Sequence, residues 1–290
     1  MLPECGLPNL NSSNIIHRLN KRIMNKFKIS FTVILATVLL MIACKKNELR
    51  QSPFDLIDGK ALVKINYSCP YISRTTPLPA ITNRSVWIRI NGKVVSSGIT
   101  YSTPYPGGGL NTGGNSFADY LSTTPGVNNI SIVMLHQDPT KLGQDSVVLY
   151  AADIDLKADT YQTIHFTDTS VNTKHIITYD PYDKPDSGWV LYKFVNLIPN
   201  AGPLDLYHGT NKIASNIDFG EVSDTFRLQA GVIGNWTLRK KDGTVTLGSQ
   251  YAGAASSVAN QRVFTIYARG YDGLPTTDVR NPRVSLLYNR

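Results

Sequence analysis

Residues 86–92 read Val86-Trp87-Ile88-Arg89-Ile90-Asn91-Gly92, three aliphatic side chains at every second position followed by a tight-turn dipeptide. Successive side chains on a strand point to opposite faces of a sheet, so the three aliphatic residues would cover one face. An Asn-Gly dipeptide favours the positive φ angles of a short hairpin. The stretch therefore predicts a β-strand that ends in a hairpin.

The same alternation recurs along the chain beyond residue 50, where no stretch has helical periodicity over three turns. It is found in Val63-Ile65-Tyr67, Ile130-Ile132-Met134, Trp236-Leu238, Phe264-Ile266-Ala268 and Val284-Leu286-Tyr288, and Asp242-Gly243 supplies a second hairpin dipeptide. Short strands separated by Gly and Pro are typical of sandwiches and barrels. We therefore predict an all-β protein of two tandem β-sandwich domains, immunoglobulin-like or transthyretin-like.

A polar stretch with two prolines, at 179–188, divides this part of the chain. It places the predicted domains at 59–180 and 189–290, with a linker at 181–188. The halves carry similar motifs in the same order, which indicates a duplication: Val63-Lys64-Ile65-Asn66-Tyr67 corresponds to Tyr192-Lys193-Phe194-Val195-Asn196. The first half has extra loops, and we interpret its glycine-rich segment 106–115 as a flexible loop at one end of a sandwich.

The N-terminal part has the layout of a secretory signal. Met24-Asn25-Lys26-Phe27-Lys28 is basic, and the apolar run 29–43 that follows is shorter than the roughly 20 residues that a membrane-spanning helix needs. The run ends in Leu40-Met41-Ile42-Ala43-Cys44, which resembles the bacterial lipobox. We predict a precursor segment 1–43 that starts at Met24, lipid on Cys44 and a polar tether at 44–58. An uncleaved signal anchor with an incidental Cys44 thiol is the alternative.

The charge pattern bears on location and partners. The precursor segment has five Lys and Arg residues against one Glu, so about half of the net charge of +8 belongs to it. The other basic residues are scattered, whereas nucleic-acid binding needs a basic face, so no nucleic-acid partner is expected. The charged stretch after Cys44 resembles signals that send Bacteroidota lipoproteins to the outer face of the outer membrane. We predict export and a lipid anchor in the outer membrane. The sequence does not decide which face of that membrane carries the protein.

A family resemblance lies in the second half. Its residues are Phe194-Val195-Asn196, Asp205-Leu206-Tyr207, Phe219-Gly220-Glu221-Val222-Ser223, Leu228-Gln229-Ala230-Gly231 and Phe264-Thr265-Ile266-Tyr267-Ala268-Arg269-Gly270. Over about 189–275 the chain resembles the domain of unknown function 4397, found in secreted and surface proteins including Bacteroidota lipoproteins. The resemblance implies a β-sandwich module with no established activity, and it implies no catalytic residues.

The usual catalytic and metal-binding motifs are absent from the sequence after Cys44. His136, His165, His175 and His208 lie far apart in the sequence. Cys69 has no second cysteine to pair with in this part of the chain, so we interpret it as a packed or turn residue. We expect no cofactor, no metal and no enzyme activity. An accessory hydrolase of glycans or peptides, with a site formed by loops of both domains, is the alternative.

Aromatic residues near Pro or Gly are the candidate binding residues. We predict that Tyr101, Tyr105, Tyr182 and Tyr271 lie in loops, where their rings could stack on sugars or on a partner protein. Tyrosine also favours strands and their margins, which is the competing explanation. The sequence thus predicts a membrane-anchored, non-catalytic binding or structural module of the cell envelope, with a glycan or an envelope protein as partner.

Overall fold

The computed structural model describes residues 59–70, 85–134, 147–169, 172–180 and 183–290. Cys44, Tyr182 and His136 lie outside these residues. The described strands belong to one compact unit. Within the described ranges, no helix has the length and apolar character needed to cross a membrane. The all-β class predicted from alternation is confirmed.

The described part of the first half contains ten strands, nine of which form two sheets. The strands are β1 Ala61–Tyr67, β2 Trp87–Ile90, β3 Lys93–Val94, β4 Pro104–Tyr105, β5 Gly109–Leu110, β6 Leu121–Thr123, β7 Gly126–Met134, β8 Val147–Leu156, β9 Thr160–Thr167 and β10 Lys174–Asp180. One sheet has the order β10-β9-β1-β4, with β6 also paired to β1, and the other has the order β3-β2-β7-β8. Strand β5 joins neither sheet.

The second half contains seven strands, which are β11 Trp189–Asn196, β12 Leu204–His208, β13 Asn211–Ile217, β14 Phe226–Gln229, β15 Trp236–Lys240, β16 Val263–Arg269 and β17 Arg283–Tyr288. They form a sheet of order β14-β11-β16-β17-β5 and a smaller sheet of order β13-β12-β15. The strand β5 from the first half therefore completes a sheet of the second half.

The two halves repeat one topology. Strand β1 pairs parallel with β9, and β11 pairs parallel with β16. Each of these parallel partners is followed by an antiparallel neighbour, β10 or β17. In the facing sheets, β2 lies between β3 and β7 as β12 lies between β13 and β15. The repeated order of sequence motifs thus has a counterpart in the strand order. Strand β10 ends at Asp180 and β11 begins at Trp189.

Each half has its own apolar core between its two sheets. In the first half the core includes Val63 and Ile65 of β1 against Ile88 of β2 and Ile132 of β7. In the second half the core includes Tyr192, Phe194, Leu206, Trp236 and Ile266. Each set is the face that alternation assigns to the inside, because the side chains of a strand alternate between faces. Burial of these faces supplies the main driving force for folding of each half.

The two five-stranded sheets also meet each other through their second faces. A third apolar cluster contains Val195, Leu197, Tyr267 and Leu287 of the second half, with Ile176 of the first half packed against it. The Thr167 hydroxyl, in the first half, donates a hydrogen bond of 2.7 Å to the Leu197 carbonyl in the second half. The result is four sheets in which the middle two are covered on both sides.

The glycine-rich segment departs from the sequence-based prediction. Gly109 and Leu110 pair antiparallel with Leu287 and Leu286 of β17. The next residue, Asn111, donates a hydrogen bond of 2.6 Å to the Val284 carbonyl and accepts one of 2.7 Å from the Ser285 hydroxyl. The prediction of a flexible loop at a sandwich end was therefore wrong for residues 109–111. Their backbone groups are paired in a sheet of the other half.

Candidate functional site

The contact between the two halves is lined by polar side chains. On β1, Val63 and Ile65 point into the first core, so Lys64 and Asn66 between them point to the opposite face. Both side chains are fully buried, because the second half covers that face. A buried polar group is costly unless it has hydrogen-bond partners. The partners of these groups therefore decide what this layer can do.

Asp180 lies at the centre of the layer, at the end of β10. Its Oδ1 atom accepts hydrogen bonds from Lys193 Nζ at 3.1 Å, Asn289 Nδ2 at 2.7 Å and Thr265 Oγ1 at 3.4 Å. Its Oδ2 atom accepts from the Tyr120 hydroxyl at 3.0 Å and from Thr163 Oγ1 at 3.5 Å. The donors come from both halves, so the carboxylate connects the two sandwiches.

Two lysines reach this layer, one from each half. The Lys193 ammonium also donates to the Tyr179 carbonyl, and the Lys64 ammonium donates to the Tyr288 carbonyl. The Lys64 Nζ atom lies 4.6 Å from the centre of the Tyr120 ring. Burial lowers the pKa of Lys64 to about 8, opposed by the negative charge of Asp180. Lys64 therefore loses its proton more easily than an ordinary lysine.

His165 on β9 is buried beside the lysines. Its Nδ1 atom accepts a hydrogen bond of 2.9 Å from the Asn66 amide, and its Nε2 atom lies 3.0 Å from Thr178 Oγ1. An amide nitrogen can only donate, so these contacts fit the neutral tautomer that carries its proton on Nε2. Burial lowers the pKa of His165 to about 3, with a further contribution from the charge of Lys193. The imidazole is neutral at physiological pH.

An open pocket of about 560 Å³ reaches the edge of this layer. It is lined by residues of both halves: Tyr179, Asp180, Leu191, Lys193, Thr225 and Arg227. Only one carboxylate contributes to it, and that carboxylate is already surrounded by donors. We call this the junction pocket. A smaller pocket of about 150 Å³ lies where the glycine-rich segment meets the second sandwich, at Leu110, Phe264 and Tyr288.

Three of the four predicted tyrosines, Tyr101, Tyr105 and Tyr271, lie in the described part of the chain. Tyr101 is 6% exposed, and the Arg269 guanidinium lies 5.5 Å from its ring centre. Tyr105 is in β4, pairs with Ile65 and packs against the first core. Tyr101 lies in a turn, as expected, but its ring is buried, and Tyr105 lies in a strand with a partly buried side chain. The binding role of both residues stays a prediction. Tyr271 is partly exposed in the second half, and its binding role stays a prediction.

Cysteine and histidine chemistry is limited in the described ranges. Cys69 is a free thiol and 3% exposed, and burial raises its pKa, so it is a packed residue as the sequence indicated. His208 packs against Trp236 with ring centres 4.4 Å apart and the ring planes tilted by 45°. No group of three His, Cys, Asp or Glu side chains among the described residues could hold a metal ion.

Sequence reasoning missed the polar layer, although one signal for it was present. Lys64 and Lys193 occupy the same position in the two repeated motifs, each between two core residues of its strand. The two lysines lie on β1 and β11, which pair with β9 and β16. Their equivalent positions could have indicated that both side chains point into the same polar layer. Nothing local to either strand shows that this second face is covered.

Comparisons with known proteins support part of the sequence reading. Residues 80–207 match the family described as a domain of unknown function, DUF4397. The resemblance to this family is thereby confirmed, but its position differs from the expected 189–275. The match lies mainly in the first half and overlaps the expected range only at 189–207. No curated protein matches the chain. A crystal structure of a Bacteroides ovatus protein described as a "putative adhesin" is similar over 71% of this chain and 90% of that chain, with 11% identity and a TM-score of 0.20.

Proposed function

We propose that this chain, which matches a family of unknown function over residues 80–207, is a membrane-anchored binding and structural module of the cell envelope. The sequence contributes the signal-like segment, the lipobox-like Cys44 and the polar tether. The fold contributes two sandwiches that meet through a buried polar layer. In this proposal the tether holds a single rigid body at the outer membrane, and the ends of that body present loops to a partner.

The observation that carries the proposal is that side chains of this protein occupy both carboxylate oxygens of Asp180. A general acid or base must exchange a proton with a substrate, so it needs at least one accessible oxygen. Both oxygens of Asp180 instead accept hydrogen bonds from side chains of this protein, and its side chain is fully buried. Lys193 is likewise directed at Asp180 and at the Tyr179 carbonyl. The charged groups at the junction therefore support a structural role better than hydrolysis.

The rim of the junction pocket suits a polar partner. The Tyr179 side chain is 39% exposed, and the Lys157 ammonium lies 4.0 Å from the centre of its ring. The exposed Arg227 lies on the second half and pairs at 3.4 Å with Asp186. Aromatic and arginine side chains are enriched where proteins bind one another. A glycan or envelope protein with hydroxyl or acidic groups fits this rim.

Membrane attachment tests the proposal. In a bacterial host, the wild-type protein should incorporate a fatty-acid analogue and sediment with membranes, whereas Cys44→Ala should lose the label and become soluble. Cys69→Ala is the matched control, because this buried thiol cannot be the lipid acceptor, and it should keep the label. Retention of label in Cys44→Ala would contradict the anchor. Hydrolysis of a defined polysaccharide or peptide by the purified protein would contradict the binding role.

A further inference from the structure

Three groups with complementary chemistry meet inside the polar layer. The amine of Lys193 lies 3.1 Å from Asp180 Oδ1, and the side-chain amide nitrogen of Asn289 lies 2.7 Å from the same oxygen. Asp180 and Asn289 have fully buried side chains, and the Lys193 side chain is 8% exposed. An amine, a carboxyl and a carboxamide are thus held together in a site largely closed to water.

The strands fix the positions of these groups. Lys193 on β11 is the Cα partner of Thr265 on β16, and Asn289 directly follows β17, the next strand in the sheet. The Asn289 amide nitrogen also contacts Thr265 Oγ1 at 2.7 Å. Its Oδ1 atom is buried, with no hydrogen-bond partner in the described part of the chain. Hydrogen bonds of the nitrogen to Asp180 and Thr265 therefore hold the amide in place, while its oxygen can still accept a hydrogen bond.

We propose that Lys193 and Asn289 are joined by an amide bond, with Asp180 as the catalytic residue that transfers the protons. The Nζ atom of Lys193 forms a bond to Cγ of Asn289, and the bond between Cγ and Nδ2 breaks. The Nδ2 atom keeps its two hydrogens, gains a third from the Lys193 nitrogen through Asp180, and departs as ammonia. One amide replaces another, so no oxidant, reductant or other co-reactant is required.

Asp180 can carry each proton because it touches both reacting groups. Asp180 takes one proton from the Lys193 ammonium across their contact of 3.1 Å, which leaves a neutral amine with a free electron pair. The neutral carboxyl can donate to Asn289 Oδ1 after the amide rotates about its last torsion, which polarises Cγ for attack. After the attack, Asp180 takes a second proton from the Lys193 nitrogen and delivers it to the departing Nδ2 atom. The proton on Oδ1 returns to Asp180 as the carbonyl re-forms. This exchange stays among the side chains of the layer, in keeping with its proposed structural role.

The junction pocket provides the exit for ammonia, because Asp180 and Lys193 both form part of its wall. The product would link β11 to the residue after β17 across the intervening strand β16. Closing a long loop of chain with a covalent bond restricts the unfolded state and so resists unfolding. It would also secure β17, the strand on which β5 of the first half is paired.

Lys64 is the alternative nucleophile in the layer. Its ammonium is directed at the backbone carbonyl of Tyr288, next to Asn289. The same Asp180 oxygen, Oδ1, accepts hydrogen bonds from both Lys193 Nζ and Asn289 Nδ2. Proton transfer between amine and amide therefore has a direct route from Lys193, which assigns the bond to that lysine.

Peptide mapping of the purified full chain tests the assignment, and it does not depend on how the N-terminus is processed. After denaturation and digestion, a branched peptide should contain Lys193 and Asn289 and be lighter by one ammonia than the two separate peptides combined. Separate, unmodified peptides in the folded wild-type protein would overturn the proposal. A branch at Lys64 would overturn the assignment to Lys193.

Variants add a second measurement. Lys193→Arg keeps the positive charge beside Asp180 and should remove the branched peptide, while Lys64→Arg should retain it. Asp180→Asn should abolish or strongly slow the reaction. If Asp180→Asn fails to fold, Asn289→Ala serves the same purpose, since it removes the carbon that is attacked. Persistence of the branched peptide in Lys193→Arg or Asn289→Ala would contradict the mechanism.

Discussion

The buried charge of Asp180 is sustained by its hydrogen bonds. Removing a carboxylate from water costs several kcal/mol, and partners that donate to both of its oxygens offset part of that cost. Lys193 and Asn289 contact one oxygen at 3.1 and 2.7 Å, and the Tyr120 hydroxyl contacts the other at 3.0 Å. Loss of any one donor would leave part of the charge uncompensated. The Asp180 carboxylate and its donors in the polar layer therefore depend on one another for their stability in the folded protein.

His165 makes the stability of the fold depend on pH. Its pKa is about 3 in the folded protein against 6.5 for an ordinary histidine, so between these values only the unfolded chain binds the proton. Acidification from pH 6.5 towards 3 should therefore lower the free energy of unfolding, by about 1.4 kcal/mol per pH unit from this residue. His165→Gln should flatten the slope, as measured by chemical denaturation at a series of pH values. An equal slope in the variant would contradict the neutral, buried imidazole.

Among the elements, β5 shows most clearly how the halves are joined. It has two residues, yet its backbone pairs with β17 and its neighbour Asn111 adds side-chain and carbonyl contacts. Gly109 is required at this close approach, because a Cβ atom there would lie 1.7 Å from the Leu286 carbonyl oxygen. The glycine is needed here for space.

We expect Gly109→Ala to detach β5 from β17 and to lower the free energy of unfolding by about 1–3 kcal/mol. Amides of β17 should then exchange faster with deuterium, as measured by mass spectrometry. Gly114→Ala is the matched control in the same segment. A Cβ atom there has ordinary contact at 3.5 Å with Thr103, and its cost of about 1 kcal/mol comes from the positive φ. Equal exchange in β17 for both variants would refute the role of Gly109.

The sequence predicts strands well and their environment less well. Alternation located β1, β2, β7, β15, β16 and β17, because core burial of one face leaves a period of two. It could not show that Lys64 and Asn66 on the other face of β1 are buried, since that depends on the second half. Gly109 looked flexible for a similar reason: the strand that requires a glycine there, β17, is far away in the chain.

The whole molecule depends on contacts that cross between its halves. Each half has its own core, yet the third apolar cluster, the Asp180 layer and β5 all join the two halves. Covering both faces of the two middle sheets removes surface that an isolated sandwich would expose to water. We therefore expect neither half to keep its native stability without the other.

The most direct test of this account is pulse-labelling hydrogen exchange across a urea titration of the intact protein. Peptides from β7 report on the first half, and peptides from β12 report on the second half, in the same sample. If the halves form one cooperative unit, both sets of peptides should lose protection at the same urea concentration. Two separate midpoints, with one half protected after the other has unfolded, would contradict the single rigid body.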